Sequence, residues 1–337
     1  MKIISLETQS NIKIIQDNLK KYVKNTEINI NDYMTLDNET ILLNVEDISI
    51  GLLNALRQIA FKFDYVYCLN TDINNIYIDK TKNNTCVNFI NKTEISNRIS
   101  SVIIDNNDQL LLDKYVDSNI GNIKKKVNFY NETFDYAKTG DIVFCINDLI
   151  ILDKHVNLCL LPYINGVFNI DNITLKKQYT KVDSRYCNVN LFIILPQNEN
   201  NTIADNDYDF NKIYTKFKIK ITSSGYLTAD KLLPRFLNIL YIKLQDTYIN
   251  EDDYILFMQS GIYLENLLVE YSHNNNINII CKNVNNNLYC YNISIKEIDK
   301  IINLIKYDIV TFISILLKIS VENADKKLFN NEFAQYF

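Results

Sequence analysis

Asp205, Asp207, Asp209 and Asn211 alternate along the chain. Alternating carboxylates are how a loop gathers oxygen ligands around a hard cation. As a calcium loop the run lacks two parts. The sharp-turn place holds Phe210 rather than glycine, and the twelfth place holds Lys216 rather than a bidentate glutamate. It reads as a solvated acidic loop. His155 and Cys159 have the spacing of ligands on a helix, but they fall in an apolar run with the look of strand. A zinc site needs four ligands near one another in space. The chain offers two histidines, His155 and His273, and seven cysteines (Cys68, Cys86, Cys145, Cys159, Cys187, Cys281 and Cys290) with no Cys-x-x-Cys pair. It has no glycine-rich phosphate loop, no nucleophile elbow and no His-Glu-x-x-His motif. The expectation is a protein with no catalytic residue, no metal and no cofactor.

The bulk properties narrow the remaining classes. The chain has 337 residues, of which 47% are hydrophobic and 22% charged, enough to build two modest domains or three small ones. Abundant Asn, Ile, Lys and Tyr beside 6 Gly, 3 Pro and no Trp read as the codon bias of an AT-rich genome. A net charge of −5 argues against a protein that holds nucleic acid by its phosphates. The clusters Lys124-Lys125-Lys126 and Lys176-Lys177, with Lys181 and Arg185, lack the interleaved aromatics that stack bases. They read as solvated faces or protein contacts, so little or no direct nucleic-acid contact is expected. The start, Met1-Lys2-Ile3-Ile4-Ser5-Leu6-Glu7, turns polar too soon for a signal peptide. The apolar run Ile309 to Ile319 is too short to span a membrane. An odd set of scattered cysteines fits free thiols, and hence the cytoplasm.

Elements follow from periodicity. The run from Glu39 to Val45 is β-rich, and Ile48, Leu52, Leu56, Ile59 and Phe63 then recur on one helix face, with Asp47 or Ser49 as the cap. Between about 70 and 200 come short β-like runs at Ile76, Ile142, Leu149 and Leu191, punctuated by Asn. Gln197 to Asn211 reads as a linker or surface loop. Phe217, Ile219 and Ile221 alternate with Lys218 and Lys220, the mark of a half-exposed antiparallel strand. Thr228 is placed to cap a helix, with Leu227 and Leu232 as a hydrophobic staple. Pro234 either kinks that helix or opens it. A strand at Tyr254, a helix through Leu264, Leu267, Leu268 and Tyr271, and a hairpin across Asn285-Asn286-Asn287 follow. A long helix carrying Ile298, Ile301, Ile302, Ile305, Ile309, Phe312, Ile313 and Leu316 closes the chain. Its apolar face is broad, so burial against several partner helices is expected. The fold class is α+β: two units, each an antiparallel sheet plus two helices, paired through their helices. The first unit is interrupted by a β-rich insertion. This repeat is one of pattern, not of residues.

Four segments in order resemble the α subunit of bacterial RNA polymerase and its archaeal and eukaryotic equivalents. ISIGLLNALRQIA resembles that family's first helix through Asn54, Leu56 and Arg57, with Gln58 where a second basic residue often stands. TEISNRISSVIID resembles the motif in which an acidic residue leads into an arginine and an apolar strand. Arg98 matches, Asn97 replaces the histidine, and the Gly and Pro are missing. FKIKITSSGYLTADKLLPRFLNIL resembles the strand, turn and helix that complete the dimerisation domain. SGIYLENLLVEYSHNNNINIICKNV resembles the eleventh subunit of eukaryotic RNA polymerase II through Leu264, Asn266, Leu267 and Leu268. Glu265 stands where that family has a small residue, and the His-Pro pair of its hairpin is absent.

The resemblance implies a third-subunit-like and an eleventh-subunit-like half fused in one polypeptide, as in large cytoplasmic DNA viruses. Residues 1–72 and 206–248 would form the first dimerisation domain, 73–205 its insertion, and 249–337 the second. It implies a non-catalytic assembly platform that docks the two largest polymerase subunits and small polymerase subunits. Leu52, Leu56, Phe236 and Leu240 would meet Leu264, Leu268, Ile305 and Phe312, Asn54, Asn266 and Leu267 would also belong to the subunit interface, and Arg57 and Arg98 would make polar contacts to the large subunits. The setting would be a cytoplasmic viral factory, with packaging in the virion left open. The rival expectation is a viral structural or scaffold protein with no role in transcription. A degenerate enzyme domain comes third.

Overall fold

The computed structural model describes residues 1–10, 12–13, 38–78, 92–104, 109–127, 136–137, 142–144, 158–159, 166–180, 186–197, 215–244, 248–249, 255–258, 262–285, 288–293 and 295–323. Among them are two four-stranded antiparallel sheets and six helices. The first sheet runs β1 (Lys2–Gln9), β2 (Thr40–Glu46), β11 (Lys216–Ser223), β10 (Val189–Pro196). The second runs β12 (Tyr248–Ile249), β13 (Ile255–Met258), β15 (Leu288–Asn292), β14 (Ile280–Asn285). Both sheets place their strands in the order first, second, fourth, third. In both, a helix follows the second strand and another follows the fourth: α1 (Ile50–Lys62) and α4 (Ala229–Lys243) in one, α5 (Ile262–Asn274) and α6 (Ile295–Asn323) in the other.

Local chemistry accounts for these elements. The Ser49 side chain accepts the Leu52 amide and starts α1, whereas Asp47 takes a left-handed φ of 55°. The alternation of β11 sends Phe217, Ile219 and Ile221 inward, where they are buried. Pro234 lies inside α4 rather than at its start. The helix tolerates it within a wholly buried stretch, Leu232 to Leu237. Leu227 and Leu232 are buried as a staple requires. TEISNRISSVIID differs from expectation at Arg98, which falls near the end of a helix, α2 (Lys92–Ser100), with single β-bridge pairing following at Ile103.

The chain between α1 and β10 builds its own sheet. Its path is β3 (Tyr65–Asn70), β9 (Gly166–Tyr179), β5 (Asn119–Val127), β7 (Ile142–Phe144), with β4 (Ile76–Ile78) also on β9. A two-stranded pair joins β6 (Tyr136–Ala137) to β8 (Leu158–Cys159). Helices α2 and α3 (Gln109–Tyr115) pack beside this sheet over a separate core that includes Tyr67, Ile99, Leu112, Ile170 and Leu175. So β3 belongs with the insertion, although it precedes residue 73. Strand β10 belongs with the first sheet, although it lies within 73–205. The run at Leu149 is outside the described residues, as is 198–214.

One apolar core joins the two four-stranded units. Helix α1 packs on α4 and α5, and α6 packs on α4 and α5 and reaches β1. Leu52, Leu53, Leu56, Ile59, Phe236, Leu240, Leu264, Leu268, Ile305 and Phe312 all lie in this cluster. Each such side chain contributes about 1.5–3 kcal/mol by leaving water. The inner face of α6 is buried as its spacing predicts. That face packs on two helices, α4 and α5, while Tyr307 and Val310 are exposed on the far side.

Candidate assembly interface

Helices α1 and α5 each run 13 residues, and five of their buried positions correspond. Leu52 corresponds to Leu264, Ala55 to Leu267, Leu56 to Leu268, Ile59 to Tyr271 and Ala60 to Ser272, and all ten are buried. The spacing of three and four residues puts each set on one stripe. Asn54 is half-buried, and Asn266, its counterpart, is exposed. Polar contacts fix the helices further. The Gly51 amide donates to Glu270 Oε2 at 2.6 Å across the two units. The Tyr271 hydroxyl donates to Asp308 Oδ2 at 2.6 Å, joining α5 to α6. Burial, helped by Asp308, holds the Tyr271 phenol well above its usual pKa. Lys306 of α6 lies 5.4 Å from the Tyr241 ring of α4.

A second cluster stands where the chain leaves the first unit and returns to it. Arg235 on α4 is 6% exposed, and Asp64, just past α1, is fully buried. Arg235 Nε donates to Asp64 Oδ1 at 2.7 Å, Nη1 to Gln109 Oε1 at 2.8 Å and Nη2 to the Tyr65 carbonyl at 2.8 Å. Asn188 Nδ2 donates to Asp64 Oδ2 at 2.7 Å. The Thr180 amide and hydroxyl both donate to the Asp64 carbonyl at 3.0 Å. Entry into the insertion at Asp64–Tyr65 is thus tied to its exit at Thr180 and Asn188. The guanidinium stacks 4.5 Å from the Tyr65 ring, and Lys177 lies 4.8 Å from the same ring. Lys177 in turn pairs with Asp113, which also accepts from the Tyr67 hydroxyl at 2.7 Å. Burial alone would lower the Arg235 pKa, but Asp64 and the neighbouring groups outweigh it and hold it above its ordinary value. The result is a satisfied buried ion pair, which fixes geometry more than it adds stability.

Arg57 is half-buried on α1, and Arg98 half-buried on α2 beside the insertion's sheet. Leu267 lies in the shared core with Leu268. Sequence reasoning missed Arg235, Asp64, Gly51 and Glu270. Arg235 carried a signal: a cation between Leu232 and Phe236, on the buried stripe of its helix. Among the described residues no group of three or more His, Cys, Asp or Glu side chains could hold a metal ion. His155 and the run Asp205 to Asn211 lie outside those residues. No described helix is long and apolar enough to cross a membrane. Buried Cys68 and Cys187 are free thiols, pushed up by burial to about 12 and about 11. No family model matches the chain, and no curated protein matches it.

Proposed function

We propose that this chain is a non-catalytic assembly platform of a DNA-directed multisubunit RNA polymerase, with third-subunit-like and eleventh-subunit-like dimerisation units fused in one polypeptide. One observation carries the reading: both units thread strand, strand, helix, strand, strand, helix through a sheet of the same order, and their helices share one core. Pairing of two such units is what the resemblance in ISIGLLNALRQIA and SGIYLENLLVEYS calls for. Leu244 and Tyr248 are separated only by residues 245–247. Fusion over so short a connection sets the effective concentration of one unit for the other at roughly millimolar or above. The paired units then present one surface to the two large subunits, with Arg57 and Arg98 as polar contacts.

Leu268→Asp tests the reading. It places a carboxylate in the shared core at a cost of several kcal/mol, roughly, and should abolish recovery of both large subunits with the tagged chain. His273→Gln, on the exposed side of the same helix, should leave recovery intact. Undiminished recovery with Leu268→Asp contradicts the pairing. Absence of the large subunits from wild-type preparations contradicts the function and favours a scaffold role.

A further inference from the structure

Gly51 is the second residue of α1, where backbone amides lack partners within the helix and the dipole favours negative charge. Glu270 Oε2 fills that place from α5. A Cβ on Gly51 would push aside the Glu270 carboxylate, the far end of a flexible side chain, and so break its bond to the amide, while the Leu267 Cα at 3.4 Å would be in ordinary contact. The reciprocal contact has no equivalent chemistry. In the position-for-position match of the two helices, Tyr263 holds the place of Gly51 and Gln58 the place of Glu270. Two helices with matching apolar stripes are therefore told apart at this one point.

We infer that Gly51 and Glu270 form a one-way key: the pairing face of α5 accepts a helix whose second residue lacks a Cβ. The partner that fits is α1, from the same chain or a second copy, and a second α5 is refused. A second α5 carries a β-carbon where Gly51 has none, so each Glu270 would be held off the helix start and left half-buried without that donor. This inference stands on the helix contact alone and does not depend on the polymerase reading.

The test uses full-length chains. Gly51→Ala should lower the melting temperature by about 3 °C or more while Glu270 is present, and far less in a Glu270→Ala background. If Gly51→Ala alone does not fold, recovery of a folded chain on adding Glu270→Ala is the same result. Additive effects, or no recovery, overturn the key.

Discussion

Asp64 and Arg235 are 171 residues apart in the chain, yet each supplies the other with a buried countercharge. Removing one leaves the other uncompensated. Arg235→Met should destabilise by about 3–5 kcal/mol, measured as a fall in the urea midpoint. Adding Asp64→Asn should recover much of that loss, since the remaining amide no longer needs a countercharge. A double variant as unstable as the sum of the singles would contradict this account. Titration adds a second test at this scale. Cys68 and Cys187 have pKa values raised to about 12 and about 11, and Tyr67 and Tyr271 are raised as well, first by burial in every case. A raised acid penalises the folded state wherever the unfolded chain would already have ionised. Stability is whole below the unfolded values, near 9 for thiols and 10 for phenols, and drains away as pH climbs from about 9 through the folded values. Urea midpoints should hold steady from pH 7 to 8.5 and fall by pH 11. A flat profile would mean these groups are not buried as described.

At the scale of elements, what was legible was what repeats within a short window. The stripes of α1, α5 and α6 and the alternation of β11 follow from a period of 3.6 or 2, and the apolar positions named for them are buried apart from half-buried Phe63. Alternation does not say which sheet a strand joins. That is why β10 reads as part of the insertion until its pairing with β11 is seen, and why β3 reads as part of the first unit. Register is a long-range property, set by partners far away in sequence. The tie between Asp64 and Thr180 was illegible for the same reason. It predicts a local effect: Thr180→Val removes the hydroxyl that donates to the Asp64 and Tyr186 carbonyls. Amide exchange should accelerate in β3 and β9, while α1 and α5 keep their protection. Equal acceleration throughout would mean that the insertion and the helix layer unfold as one unit.

For the whole molecule the account rests on repetition without sequence identity. Two sheets of one strand order, each with a helix after its second and fourth strands, meet through α1, α4, α5 and α6 in a single core. The insertion adds a second core and is clamped to the first at Arg235. On the proposed reading, such a body offers its large partners a docking surface. Native mass spectrometry of the tagged chain, purified from the cells that produce it, measures this most directly. The account predicts an assembly holding one copy of the chain with one each of the two largest polymerase subunits. A chain recovered alone, or only with further copies of itself, would contradict it.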